Sequence, residues 1–271
     1  MKSDRYTTML TIAGSDPSGG AGIQADIRTA SLLGVHPLST VTALTFQNTC
    51  GVSGYYPTDI RTLVAQIGTI LSDIRPDAVK TGMIPSYLHA EAIGKAVKEH
   101  RLTNLVVDPV LSATSGGSIS GDSLHTMEAI KEYLLPLAEI VTPNIPEAEL
   151  FLGHKIQNIE DAMGACVEFA ERFSCNSVLL KGGHLPMYGT CTDIFFRCDT
   201  QELIQFPHSF IPSGNLHGTG CVLSSAIASF LASGKTPAQA VAFAGKFLHD
   251  AIYNGKDRKL GHGNGPLFLF P

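Results

Sequence analysis

Short β-rich segments alternate with helical patterns along most of this sequence, and few folds accommodate such an order. The predicted strands in the first half are residues 7–13, 39–46, 78–81 and 105–108. The predicted helices between and after them are residues 22–33, 59–72, 87–99 and 122–133. Strands that alternate with helices predict βαβ units, and therefore a parallel sheet covered by helices on both faces.

The second half ends this alternation with a predicted hairpin. Residues 140–141 and 178–180 are further predicted strands around a helix at 159–173, and residues 192–197 and 203–206 are close enough to pair with each other. Predicted helices at 220–233 and 238–253 follow. We therefore expect an α/β fold with a mostly parallel sheet and antiparallel edge strands. No Pro/Ser-rich linker interrupts residues 1–271, so a single domain is expected.

Composition excludes several classes of protein. Hydrophobic residues make up 44% of the 271 residues and charged residues 16%, which is typical of a globular chain. The formal net charge is −5 and no basic run occurs, so a nucleic-acid partner is not expected. The N-terminus lacks the pattern of a signal peptide, and no apolar run reaches the ~20 residues that span a bilayer. A cytoplasmic location is expected.

The six cysteines form no CxxC pair. Neither a zinc knuckle nor a small disulfide scaffold is therefore indicated. His184, His217 and His262 also lack a metal-ligand spacing, and we expect at most a supporting role for His217.

Unusual residues follow the predicted strands directly. They are Gly14, Ser15 and Asp16, then Gln47 and Asn48, Gly82 and Met83, Asp108 to Val110, Asn144, and Lys181. Open parallel sheets bind ligands beyond the carboxyl ends of their strands. These positions therefore predict one site at one edge of the sheet.

A glycine-rich turn precedes the predicted helix at 220–233. Gly218, Thr219 and Gly220 allow backbone N–H groups to turn inward at the positive end of that helix, which predicts a nest for phosphate or an oxyanion. Cys221 lies in the first helical turn, where the same field is expected to lower its pKa and make it a candidate base. Alternatively, the glycines only shape the turn and Cys221 packs as a small apolar residue.

The segment GSDPSGGAG at residues 14–22 is not a P-loop, because Gly20 stands where the Walker lysine would be. Its glycines still permit close approach of the backbone to a ligand. Asp26 follows on a helix, at the border of the apolar stripe formed by Ile23, Ile27 and Ala30. It is either a hydrogen-bond acceptor for a substrate or one half of an internal ion pair.

Asn144 and Glu147 lie three residues apart at a strand-to-helix turn. With Asp108 they supply oxygen ligands that suit Mg²⁺ through water, although the same pair is often a helix capping box. Lys181 could offset phosphate charge or form an internal salt bridge. Met83 and Val110 either belong to the core or line a flat apolar pocket.

Six motifs together resemble the bacterial hydroxymethylpyrimidine/phosphomethylpyrimidine kinase family. They are AGSDPSGGAGIQAD (13–26), ALTFQNT (43–49), DPV (108–110), TPNIPEA (142–148), KGGH (181–184) and HGTGC (217–221). The resemblance runs nearly end to end. It implies a ribokinase-like three-layer αβα sandwich and a thiamine-biosynthesis kinase that phosphorylates hydroxymethylpyrimidine and then its monophosphate, each time with Mg-ATP.

The resemblance also implies roles for individual residues. Cys221 is the implied base, inside an anion hole formed by Gly218, Thr219 and Gly220. The implied pyrimidine-binding residues are Gly14, Asp26, Gln47, Met83 and Val110. The implied Mg-ATP residues are Asp108, Asn144, Glu147, Lys181 and Thr219, with Asp108 and Glu147 nearest the metal and the adenine over the C-terminal third of the chain. A homodimer is implied as well.

Two departures and two alternatives accompany the resemblance. Gly117 replaces an acidic residue of the family, and residues 261–266 differ slightly from the family's usual ending. The loop at 112–121 is the expected lid.

A pyridoxine/pyridoxal kinase of the same scaffold is the nearest alternative function. Gln47 argues against it, because an amide can both donate to and accept from an aminopyrimidine edge. The second alternative is a ligand sensor without catalytic activity, although every implied catalytic position is intact.

Overall fold

One sheet of nine strands is present in the part of the chain that the computed structural model describes, residues 5–110, 123–183 and 190–270. The strands are β1 (Thr8–Ser15), β2 (His36–Asn48), β3 (Gly51–Pro57), β4 (Ala78–Thr81), β5 (Leu105–Val107), β6 (Ile140–Val141), β7 (Ser177–Leu180), β8 (Thr190–Arg197) and β9 (Glu202–Ser209). Their order is β3-β2-β1-β4-β5-β6-β7-β8-β9. The pairs from β2 to β7 are parallel, whereas β3, β8 and β9 pair antiparallel with their neighbours.

Helices cover both faces of this sheet. They are α1 (Gly22–Leu32), α2 (Ile60–Leu71), α3 (Tyr87–Glu99), α4 (Ser123–Tyr133), α5 (Ile145–Leu152), α6 (Ile159–Phe173), α7 (Thr219–Ala232) and α8 (Pro237–Gly255). Alternating strand residues supply the two cores: Val107 packs with the α2 to α6 side, while Val106 packs with α7 and α8. The predicted three-layer αβα sandwich with antiparallel edge strands is confirmed.

Local sequence signals set several helix ends. Asp59 caps α2 by accepting from the backbone N–H groups of Arg61 and Thr62. Thr236 and Gln239 form a capping box at the start of α8. In the described residues no helix combines the length and the apolar character needed to cross a membrane.

The sequence did not predict β3. This strand pairs antiparallel with the end of β2, and its residues are half-buried or exposed. Because neither face is buried, β3 lacks the alternation of apolar and polar residues by which a strand is recognised. The expected lid at 112–121 lies outside the described residues.

Candidate active site

A cavity of about 350 Å³ lies beyond the carboxyl ends of the parallel strands. The segments after β1, β4, β5, β6 and β7 all contribute to its lining, as the sequence predicted. Of the predicted site residues, the lining contains Gly14, Gln47, Met83, Asp108, Val110, Asn144, Glu147, Lys181, Gly218, Thr219, Gly220 and Cys221. The structure thus brings these residues together at one edge of the sheet. Asp26 is not in the lining, and neither are Asn48 and Gly82 from the residues that directly follow the predicted strands.

One wall of the cavity is apolar. Met83 and Val110 pack with Ala43 and Tyr55 in a small cluster separate from the main cores. Gly14 lies against this wall, since a Cβ atom there would be 2.9 Å from the sulfur of Met83. A larger residue at position 14 would therefore displace the side chain of Met83. The wall provides a surface suited to a flat ring.

Gln47 also lines the cavity and belongs to a polar network with His217 and Asp16. Nε2 of His217 lies 3.0 Å from the amide nitrogen of Gln47 and 2.9 Å from Oδ2 of Asp16. Asp16 also accepts hydrogen bonds from the backbone of Ser18 and Ala21 at 2.8 Å. Burial alone would raise the pKa of Asp16, but the bonds from His217, Ser18 and Ala21 lower it to about 2. The proton on Nε2 of His217 is donated to Asp16, so the same atom does not accept from Gln47 at the same time. The supporting role expected of His217 has a physical basis, because its ring lies between Gln47 and the glycine-rich loop.

Replacing His217 by alanine is expected to raise KM for the ring-bearing substrate by about tenfold with a smaller change in kcat, because Gln47 loses its partner. Steady-state kinetics would measure both constants. His262→Ala, at an exposed position, is the control. An unchanged KM in His217→Ala would show that Gln47 does not need this contact.

Two carboxylates and a lysine form the opposite side of the cavity. Nζ of Lys181 lies 3.1 Å from Oδ1 of Asp108 and 3.9 Å from Oε2 of Glu147. Asp108 is 2% exposed and is also within reach of Thr142 at 3.2 Å and Ser224 at 3.3 Å. Burial would lower the pKa of Lys181, but Asp108 and Glu147 raise it, so this lysine stays charged. Lys181 thus forms the internal salt bridge, and because it also lines the cavity, its role in offsetting phosphate charge stays a prediction.

Asn144 and Glu147 form the capping box of α5, each accepting from the other's backbone N–H at 2.8 Å. Both also line the cavity. In the described residues no three His, Cys, Asp or Glu side chains form a metal cluster by themselves. The oxygen donors of Asp108 and Glu147 nevertheless suit a hydrated magnesium ion that arrives with phosphate, because Mg²⁺ retains much of its water.

The glycine-rich turn stands between these two sides. Gly218 has φ +86°, and no side chain caps α7. The backbone N–H of Thr219 donates to the carbonyl oxygen of Leu216 at 3.3 Å, whereas the N–H groups of Gly220 and Cys221 in the same turn have no side-chain cap. A Cβ atom on Gly220 would lie 3.4 Å from Oδ2 of Asp108 and 3.5 Å from Nζ of Lys181. The turn therefore places helix-end N–H groups, a carboxylate and an ammonium around one point.

Cys221 lines the cavity at this turn, but its predicted pKa was wrong. Burial raises the pKa of the thiol to about 11; the charge of Lys80 opposes this rise, and the charges of Asp26 and Asp108 add to it. Desolvation thus outweighs the influences that lower the pKa, which are the charge of Lys80 and a backbone hydrogen bond from Gly22. A thiolate is rare here near neutral pH, although a thiol of high pKa is a strong base once it is deprotonated.

The substrate-binding role implied for Asp26 was also wrong. Its side chain is fully buried and forms an ion pair with Lys80, with Nζ at 3.0 and 2.8 Å from the two carboxylate oxygens. Thr11 donates to the same carboxylate at 2.5 Å. With these partners the carboxylate does not reach the cavity, so the internal ion pair, and not substrate binding, describes Asp26.

Some residues that line the cavity were not predicted. They include Asp193 and His208 on the β8–β9 hairpin, and Leu248 and Ile252 of α8. Burial raises the pKa of Asp193, against the opposing influence of His208. Nothing in the sequence around Asp193 marks it, because only the sheet order brings this hairpin beside α8.

This fold and this site define a ribokinase-like phosphotransferase. The chain belongs to the phosphomethylpyrimidine kinase family, whose model matches residues 16–268. It is 39% identical over 261 residues to the hydroxymethylpyrimidine/phosphomethylpyrimidine kinase of Bacillus subtilis, covering 96% of this chain and 94% of that one.

Two solved structures are similar to this chain over most of its length. A phosphomethylpyrimidine kinase from Clostridium difficile is 39% identical with a TM-score of 0.78, over 90% of this chain and 99% of that one. The pyridoxal kinase from Staphylococcus aureus in complex with AMP-PCP and pyridoxal is 32% identical with a TM-score of 0.86, over 97% and 93% of the two chains.

Proposed function

We propose that this chain transfers the γ-phosphoryl group of ATP to 4-amino-5-hydroxymethyl-2-methylpyrimidine, and then phosphorylates the monophosphate to the pyrophosphate. The observation that carries this proposal is one cavity lined both by Gln47 and the apolar residues Met83 and Val110, and by Cys221, Asp108 and Lys181. Phosphoryl transfer depends mainly on aligning the two substrates and stabilising charge on the moving group.

On the substrate side, the pyrimidine ring would pack against Met83 and Val110, with Gly14 leaving room for it. The amide of Gln47 would donate to and accept from the aminopyrimidine edge. Such a bidentate contact discriminates strongly, because a ring that lacks the matching groups leaves a buried amide unsatisfied. Asp26 has no part in this recognition.

Proton transfer would then involve Cys221. Its thiolate takes the proton of the hydroxymethyl oxygen as that oxygen attacks the γ-phosphorus, and the bond to the β-phosphate oxygen of ATP breaks to release ADP. The N–H groups of Gly218, Thr219 and Gly220 would stabilise the charge on the transferred group, together with Lys181.

Nucleotide would occupy the remaining cavity. Asn144, Lys181 and Thr219 would contact the phosphates, and the compartment near Leu248 and Ile252 would take the adenine. Asp108 and Glu147 would hold Mg²⁺ through water, and that ion would neutralise phosphate charge. The similarity to a pyridoxal kinase in complex with AMP-PCP supports ATP as the phosphate donor. We also propose that the chain works as one domain in the cytoplasm, as its sequence pattern predicts, and as a homodimer, which the family resemblance implies.

An ATP-consumption assay tests the substrate directly. Purified protein with Mg²⁺ is offered hydroxymethylpyrimidine, its monophosphate or pyridoxal, and products are identified by mass. We expect the pyrimidine to reach the pyrophosphate, with pyridoxal a poor substrate, and Gln47→Leu to raise KM for the pyrimidine by about tenfold or more. A preference for pyridoxal in the unmodified protein would overturn Gln47 as the selector of substrate.

A further inference from the structure

Lys80 is a buried cation that the proposed mechanism does not use. It lies on β4, and its side chain is completely inaccessible to solvent. A charged lysine in such a place is costly unless it is paired. Lys80 donates to both carboxylate oxygens of Asp26, and in the described part of the chain it has no other hydrogen-bond partner. The position of its charge is therefore fixed by one residue.

Asp26 connects this cation to the first turn of α7. Thr11 and Ser225 both donate hydrogen bonds to the Asp26 carboxylate, which disperses part of its negative charge. Ser225 Oγ is also 2.6 Å from the carbonyl oxygen of Cys221, one helical turn earlier. Lys80, Asp26 and Ser225 thus form a series of polar contacts that ends at the backbone carbonyl of Cys221, the residue proposed as the base.

The ammonium group is directed toward the carboxyl end of β4. A Cβ atom on Gly82 would lie only 2.9 Å from Nζ of Lys80. Gly82 follows the last residue of β4 and precedes Met83, which lines the cavity. Because Gly82 has no side chain, the charge of Lys80 comes close to the edge of the sheet without being exposed to water.

We propose that Lys80 is a positioning residue for phosphoryl transfer, and that its fixed positive charge, held in place by Asp26, stabilises the thiolate of Cys221. This inference rests on the proposed function, in which Cys221 is the base. In a medium of low polarity a nearby cation acts more strongly than it would in water. The Lys80–Asp26 ion pair would thus contribute to catalysis as well as to stability.

The charged groups around Cys221 agree with this role. Lys80 on β4 is the strongest influence that lowers the pKa of the thiol, after burial, which raises it. Asp26 on α1 and Asp108 after β5 oppose Lys80, and Lys181 after β7 is the other cation that faces the thiol. Burial would lower the pKa of Lys80 itself, but Asp26, Cys221 and Asp108 raise it above its ordinary value, so its charge is permanent.

Alkylation of Cys221 by iodoacetamide as a function of pH tests the inference in the full chain. Cys50, the exposed cysteine, is first replaced by serine so that it does not compete. We expect Lys80→Met to slow alkylation of Cys221 about tenfold near pH 8, because each pKa unit lowers the thiolate fraction tenfold. The modified residue is identified by mass.

Since Lys80→Met leaves Asp26 unpaired and could unfold the protein, Lys80→Met with Asp26→Asn is the second variant. It removes both charges, and because Lys80 is the stronger influence, alkylation should still slow, by about threefold. Lys95→Met, which breaks an exposed ion pair with Glu91, is the matched control and should change nothing. An alkylation profile in the double variant that is unchanged or shifted to lower pH would overturn the inference.

Turnover of Cys221→Ala, compared with the alkylation profiles of the Lys80 variants, distinguishes a failure of this inference from a failure of the proposed function. If Cys221→Ala is inactive but the Lys80 variants do not shift the alkylation profile, the inference about Lys80 fails and the base survives. If the profile shifts but Cys221→Ala retains full turnover, Lys80 still tunes the thiol, but Cys221 is not the base and Lys80 has no role in catalysis through it.

Discussion

Cys221→Ala is expected to lower kcat with hydroxymethylpyrimidine by about a thousandfold while KM changes by less than about threefold. The thiol lies at the junction of the apolar wall and the phosphate side, so its removal affects the proton transfer more than the binding of either substrate. Steady-state kinetics with product identification would measure this. Because burial raises the pKa of Cys221 to about 11, only the thiolate fraction is active, and kcat should rise with pH through the neutral and mildly alkaline range.

Cys50→Ala is the matched control, since Cys50 is the exposed cysteine and does not line the cavity. It should retain full activity and the same pH profile. Full turnover in Cys221→Ala would contradict the role of the thiol as the base. A kcat that falls as pH rises through this range would contradict the requirement for a thiolate.

Gly218→Ala is expected to destabilise the protein by about 3 kcal/mol and to lower kcat by roughly a hundredfold or more. Gly218 has φ +86°, and a Cβ atom there would lie 2.0 Å from the carbonyl oxygen of Gly20. The turn therefore cannot keep its shape with alanine, and the N–H groups at the start of α7 would move. Urea unfolding measures the stability, and steady-state kinetics measures the turnover.

Gly234→Ala provides a matched control for backbone strain. Gly234 also has a positive φ, +78°, but a Cβ atom there would meet nothing within 4 Å. Its replacement should cost only about 1 kcal/mol and leave kcat unchanged. Equal losses of stability in the two variants would show that strain alone, and not the contact with Gly20, explains the requirement for glycine at position 218.

Local signals in the sequence predicted the framework of this protein. The alternation of strands and helices determines a parallel sheet, and residues that directly follow its strands must meet at one edge. For this reason Asp108, Asn144 and Lys181 could be assigned to one site before any contact was known. The capping box of Asn144 and Glu147 was likewise visible, because it needs only residues three positions apart.

Only the tertiary structure decided what each charged group does. Asp26 lies 54 positions from Lys80, and Asp16 lies 201 positions from His217, so neither pair has a local signal. The pKa of Cys221 shows the physical reason most clearly. Its position at a helix start is local and predicts a lower pKa, but burial and the charges of Asp26, Lys80 and Asp108 come from separate elements. A pKa is the sum of all these influences, and most of them exist only after the chain has folded.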